Sequence, residues 1–158
     1  MRLDTVDIAI LNTLQDEGRL TNAELADRVQ LSPSACHRRV KALEASGVIE
    51  RYVALLSEKA LGRGMTVYVQ VTLDNLKHDT LRDFENAVEG VPEVMECYLM
   101  SGEADYLVRV LVRDPNDYER VHREVLSSLP GVARLNSSFT IRRVFSRTQM
   151  PIPDGVEV

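Results

Sequence analysis

The sequence predicts an α+β chain in two parts: a helix-turn-helix followed by a strand, then a ferredoxin-like βαββαβ sandwich. Three observations predict it. Thr21-Asn22-Ala23-Glu24 and Ser32-Pro33 each read as a helix start, with only Gln30 and Leu31 between the two helices. Met65, Val67, Val69, Val71 and Leu73 alternate with Thr66, Tyr68, Gln70 and Thr72, the period of a strand with one buried face. Strand, helix and strand then follow one another twice, and two such units make a four-stranded antiparallel sheet with both helices on one face.

The first helix follows Asp4 or Thr5, places Val6, Ile10, Leu11 and Leu14 on one side, and ends at Asp16-Glu17-Gly18. In the second, the Thr21 hydroxyl and the Glu24 carboxylate each satisfy an orphan backbone N–H, while Leu25, Ala26 and Val29 face inward. Helix three opens on Ser32 as N-cap with Pro33 at its first position and ends before Gly47. The helix-turn-helix thus covers about 22–46, and the short link forces its helices to cross.

Residues 48–56 read as a strand and Ser57 caps a turn through Leu61. Gly62-Arg63-Gly64 marks the junction, which gives parts at 1–62 and 63–150 with a tail at 151–158. In the second part a helix is predicted over about 79–89, strands over about 93–101 and 105–113, a helix over about 116–129 and a last strand over about 133–146. Asp114-Pro115-Asn116-Asp117 reads as a turn and helix cap. The uncovered sheet face should carry Tyr68, Leu99, Leu107 and Leu111, an apolar patch that implies self-association.

The chain has 158 residues, is 44% hydrophobic and 27% charged, and has no apolar run near the ~20 residues that span a membrane. Acids interrupt the first apolar stretch, unlike a signal peptide. Cys36 and Cys97 lack partners at metal-ligand spacing and are expected to be buried thiols in a reducing cytoplasm; no metal or cofactor is expected. A net charge of −5 argues against indiscriminate nucleic-acid binding. Its distribution is more telling, because Arg28 to Leu43 contains no acid and holds Arg28, Arg38, Arg39 and Lys41.

On a helical wheel Cys36, Val40 and Leu43 face the other helices, whereas Ser34, His37, Arg38 and Lys41 lie opposite. A short capped helix with hydroxyl, imidazole and cations outward fits the major groove of double-stranded DNA. The candidate contact set is Ser32, Ser34, Ala35, His37, Arg38, Arg39 and Lys41. Arg39 borders the buried stripe, so it either reaches a phosphate from the flank or pairs with an acid such as Asp7.

These residues resemble the Lrp/AsnC, or feast/famine, regulators of bacteria and archaea. The resemblance rests on Leu3-Asp4, Ile10-Leu11, Asn22-Ala23-Glu24-Leu25-Ala26, Leu31-Ser32-Pro33 and the run Arg39 to Ile49. It continues in Ser101-Gly102-Glu103-Ala104-Asp105-Tyr106-Leu107 and Leu129-Pro130-Gly131-Val132. It implies a winged helix-turn-helix, a ligand-responsive domain, and a homodimer that associates into a tetramer or octamer. It further implies an effector, usually an amino acid, bound near the Gly102–Asp105 turn. Tyr98, Leu99, Met100, Gly102, Asp105 and Thr140 are the candidate lining. Asp105 suits an ammonium and the turn's N–H groups a carboxylate; equally, Gly102 permits a hairpin turn that Asp105 caps.

Taken together, the expected function is transcription regulation by sequence-specific DNA binding in the cytoplasm, at the nucleoid, under small-molecule control. Two rivals remain in view. An enzyme finds little support, since His37, His78 and His122 are scattered and Gly62-x-Gly64 lacks the context of a dinucleotide loop. The other is an architectural protein that wraps DNA with little sequence choice.

Overall fold

The computed structural model describes residues 2–153 and 155–157; Met1 lies outside them, as do Asp154 and Val158 of the expected tail. Two compact units form, one from 1–55 with 144–158 and one from 56–143. The first unit therefore takes in residues 144–150, which the sequence reading assigned to the second part.

In the first unit α1 spans Thr5–Asp16, α2 Asn22–Arg28 and α3 Pro33–Ala45. The start of α1 is fixed by two carboxylates. Asp4 accepts from the amides of Val6 and Asp7 at 2.9 and 2.8 Å, and Asp7 accepts in return from the amide of Asp4 at 3.2 Å. Thr21 and Glu24 cap α2 reciprocally, as the sequence predicts. Leu3, Ile10, Leu11, Leu25, Ala26, Cys36 and Leu43 close the core. Each large aliphatic among them contributes about 1.5–3 kcal/mol relative to exposure.

The strand predicted over 48–56 is not formed. Ile49 N–H instead donates to Leu43 O at 3.3 Å, and Tyr52, Val53 and Leu55 stand exposed. A strand exists only with a hydrogen-bonded neighbour, and these residues have none among the described ones.

The second unit contains β1 (Met65–Leu73), α4 (His78–Glu89), β2 (Val94–Leu99), β3 (Tyr106–Val112), α5 (Pro115–Glu124), a 3-10 turn (Leu126–Ser128) and β4 (Val132–Phe139). The sheet order is β2-β3-β1-β4 and every pairing is antiparallel. Val67, Val69, Val71 and Leu73 pack with Tyr106, Val108, Val110 and Val112 beneath Phe84, Val88, Tyr118 and Val121 of both helices. This is the ferredoxin-like layering expected from the sequence.

Two elements stop short of their predicted ends. Helix α5 ends at Glu124 because the Ser127 and Ser128 hydroxyls take the carbonyls of His122, Glu124 and Val125. Strand β4 ends at Phe139, not near 146, because β1 begins at Met65 and offers no further partner; the last bond is Thr140 N–H to Thr66 O at 3.1 Å.

The uncovered face is more polar than expected, for a reason local to β2. Val94 lies opposite Val110, but Glu96 then lies opposite Arg109, so a bulge between them reverses the alternation. Leu99 pairs with Tyr106 and moves to the helix side, while Glu96 and Tyr98 take its place on the bare face. Arg109 also lies there, held by Glu96 at 2.8 Å and Glu58 at 3.5 Å. Tyr68, Leu107 and Leu111 remain as the apolar part.

The N-terminus of α5 carries a buried carboxylate. Asp114 caps it through the Asp117 amide at 2.9 Å. Asp117 in turn accepts from Arg113 N and Nε at 3.1 and 3.2 Å and from Arg120 Nη2 at 3.1 Å. The Arg113 guanidinium, with its backbone N–H, holds this carboxyl well below the usual carboxylate range. A depressed folded value stabilises the native state above the unfolded value and loses that contribution as pH falls through the folded one. Unfolding free energy should therefore decline from about pH 5 downward. Asp117→Asn should flatten that acid limb, as measured by urea titration across pH.

Candidate nucleic-acid interface and effector region

The turn that aims α3 is built by backbone bonds. Leu31 N–H donates to Ala26 O at 2.9 Å and Gln30 N–H to Asp27 O at 3.2 Å, the paired bonds of a Schellman motif. This puts Gln30 at φ 54°, a left-handed conformation that costs a side-chain residue about 1–2 kcal/mol. The Asn22 side chain then ties α2 to the start of α3 by donating to Pro33 O at 2.8 Å. Asn22 carries a positioning role that the sequence reading missed; an amide side chain one residue after an N-cap is a weak signal by itself.

Along α3 the predicted faces separate. Cys36 and Leu43 are buried, while Ser32, Ser34, His37, Arg38 and Lys41 are exposed and Ala35 and Arg39 half-buried. Ser32 caps the helix by accepting from Ala35 N–H at 3.3 Å, with the Ser34 hydroxyl 3.3 Å away.

The three cations of α3 differ in their partners. Arg39 turns inward and donates through Nη1 to Asp4 and Asp7, both at 2.8 Å, the ion pair that is one of its two expected roles. Lys41 meets Glu44 at 2.8 Å, and Lys41 lowers the Glu44 carboxyl from its ordinary value. Arg38 takes part in no ion pair among the described residues. Arg28, also in the acid-free window, is neutralised by Glu17 at 2.8 Å.

Arg39→Ala would strand the Asp7 carboxylate, whose side chain is only 9% exposed. The expected cost is about 1–3 kcal/mol of unfolding free energy, read by denaturant melting.

In the second unit Tyr98, Leu99 and Met100 are exposed at the end of β2, beside the 101–105 turn. Gly102 has φ 154°, which a side chain rarely adopts, although no atom lies within 4 Å of a Cβ built there. Asp105 is half-buried and ties three segments together. Its N–H donates to Val71 O at 2.9 Å, its carbonyl accepts from Met100 N–H at 2.8 Å, and its Oδ2 accepts from Leu73 N–H at 2.7 Å. The side chain thus ties the turn to β1 and does not cap the turn itself among the described residues, where Oδ1 takes no hydrogen bond.

Thr140 is not brought to this turn. Its N–H and hydroxyl both donate to Thr66 O, at the start of β1, whereas Asp105 sits beside Val71 and Leu73 at the end. Five to seven residue steps along β1 separate the two places, roughly 16–23 Å at about 3.3 Å per residue.

Leu99 also lines an open groove of about 380 Å³ between α4 and β2, together with Val88, Met95, Cys97, Tyr106 and Glu85. Cys97 is exposed, not buried as expected, because β2 is the edge strand of the sheet; Cys36 is buried. Among the described residues no group of three or more His, Cys, Asp or Glu is placed to hold a metal ion. No described helix is long and apolar enough to cross a membrane.

Comparison with known proteins agrees with both units. A winged helix-turn-helix DNA-binding model matches residues 3–50, and the Lrp/AsnC ligand binding domain model matches 66–150. The Bkd operon transcriptional regulator of Pseudomonas aeruginosa is 39% identical over 150 residues, covering 95% of this chain and 98% of the relative. The leucine-responsive regulatory protein of Escherichia coli K12 is 43% identical over 130 residues, covering 82% of this chain and 79% of the relative. A Neisseria meningitidis transcriptional regulator solved as an L-Met complex superposes with a TM-score of 0.90 at 40% identity, covering 94% and 96% of the two chains. An AsnC family regulator from Agrobacterium tumefaciens gives 0.89 at 34% identity, covering 94% and 97%. With a capped helix-turn-helix in one unit and a ferredoxin-like ligand-binding fold in the other, the chain belongs to the Lrp/AsnC family of transcriptional regulators.

Proposed function

We propose that α3 reads double-stranded DNA through Ser34, His37 and Arg38, and that an amino acid bound at the Gly102–Asp105 turn changes how the protein assembles or binds DNA. The observation that carries the DNA reading is the exposed face of α3, on which Arg38 alone among its cations is without an ion pair among the described residues. A phosphate or base edge would be its first strong partner. Ser32 and Ala35 serve mainly to start the helix, and Arg39 serves the fold.

The effector reading is supported by the free Oδ1 of Asp105 and the exposed Tyr98, Leu99 and Met100 beside it. The Escherichia coli relative is named as leucine-responsive and the Neisseria structure holds L-Met, so we take an amino acid as the ligand class here too. Thr140 belongs to that pocket only if a second copy supplies it. Tyr68, Leu107 and Leu111 on the bare sheet face give such copies an apolar contact, in keeping with a homodimer that builds a tetramer or octamer. The protein then acts by binding, with no turnover, at the nucleoid in the cytoplasm.

A thermal-shift panel of the twenty amino acids tests the ligand class. A ligand at a hundred times its Kd should stabilise the native state by about 2.7 kcal/mol and raise Tm accordingly. A panel in which none of the twenty shifts Tm would overturn the amino-acid reading.

A further inference from the structure

The last residues of the chain return to its beginning. The Gln15 carboxamide holds one residue, Met150, in both directions: Nε2 donates to the Met150 carbonyl at 3.1 Å and Oε1 accepts from the Met150 N–H at 2.6 Å. The Gln149 side chain donates to Asp16 Oδ1 at 2.9 Å. Further along, Leu3 N–H donates to Val156 O at 2.9 Å, and Arg2 forms an antiparallel bridge with Glu157. Ile152 and Val156 pack against the core that contains Leu3, Ile10, Leu11, Leu25 and Leu43.

These contacts are specific in register. Two opposed bonds from one carboxamide fit a single residue, so a slip by one position breaks both. Pro151 and Pro153 fix φ on either side of Ile152, which lowers the entropy lost on docking. Gly155 takes φ 75°, a left-handed turn that favours glycine, with the Arg2 guanidinium beside it. The matched helix-turn-helix segment ends at residue 50, nearly a hundred residues before this strap.

We propose that the strap of residues 149–153 and 155–157 is a required part of the DNA-reading unit: the face formed by α1 and the residues before it is a docking surface whose occupant is the chain's own C-terminal strap. The strap packs against the core that contains Leu3, Ile10 and Leu11 and is bonded to Gln15 and Asp16 of α1, so losing it loosens α1, which with Asp4 and Asp7 holds Arg39 and thereby sets α3. The DNA consequence rests on the role proposed for α3; the docking itself does not.

The test compares the full chain, Gln15→Ala and a chain ending at Thr148 by amide hydrogen exchange, with a duplex-binding titration alongside. Shortening should speed exchange at Leu3, Ile10 and Leu11 by about tenfold or more, since their protection then reports a weakened local unit. Gln15→Ala should act in the same direction at Leu3 and Met150, and trypsin should cut after Arg147 faster than in the parent. DNA affinity should fall with exchange protection. Unchanged exchange at Ile10 and Leu11 in the shortened chain overturns the docking. Faster exchange with unchanged DNA affinity overturns the requirement. Protection that grows with protein concentration gives the strap to a second copy and overturns the assignment to the chain's own tail. If the parent binds no duplex at all, the α3 reading fails, while the exchange result still decides the docking.

Discussion

Arg38→Ala is expected to weaken binding to a target duplex by about tenfold per DNA-reading unit, with the fold and the oligomer intact. The three cations on α3 differ in how far their charge is already paired. Arg39 is spent on Asp4 and Asp7, and Lys41 already faces Glu44 at 2.8 Å. Arg38 is exposed and brings its full charge to the DNA. If it meets a phosphate, the slope of log affinity against log salt should shrink by roughly 1. Lys41→Ala should do less, because breaking its pair with Glu44 offsets part of the gain from any phosphate. Titrations at several salt concentrations, with circular dichroism and light scattering on each variant, check both statements. Equal affinities for Arg38→Ala and the parent would remove α3 from the interface.

Asp105→Asn is the sharper probe of the effector region. Alanine would remove the acceptor of the Leu73 N–H bond, so a lost response could reflect a damaged turn. Asparagine keeps a carbonyl oxygen for Leu73 and removes only the charge. If the carboxylate binds an ammonium, the loss should be about 1.5–3 kcal/mol, or roughly ten- to a hundredfold in effector affinity. Basal DNA binding and assembly should hold. Calorimetric titration of the amino acid found in the thermal-shift panel gives the number directly. An unchanged affinity would leave Asp105 as a tie to β1 alone and move the pocket elsewhere.

The structure also shows which features are legible in sequence. The caps of α2, α3 and α5 were readable because each joins residues three or four apart, and a short-range hydrogen bond needs no knowledge of the fold. The alternation of β1 was readable for the same reason, since its pattern is set by one buried face. Pairing was harder. The strand over 48–56 and the long β4 are expected from the local residue pattern, but a strand's extent is set by its neighbour: 48–56 has none among the described residues, and β1 offers β4 none beyond Thr66. Leu99 changes face through one bulge between Val94 and Glu96, which reverses every later side chain without leaving a glycine to mark it, and Cys97 is exposed because β2 lies at the sheet edge.

In the sites the same limit applies. Arg39 could be narrowed to two roles but not decided, because Asp4 and Asp7 are more than thirty residues away. Thr140 was assigned to the effector region by resemblance and lies instead at the far end of β1 within one chain. The union of Gln15 with Met150 had no local signature at all.

Selection from a random pool of duplex DNA tests the central claim, that this chain chooses DNA by sequence through α3. The account expects the bound fraction to converge on a motif of two related half-sites, since two linked heads raise each other's effective concentration. The same selection with Arg38→Ala should give weaker enrichment. A bound pool that keeps its random composition, at any salt concentration where binding is measurable, would contradict the account and favour an architectural protein that coats DNA without choosing it.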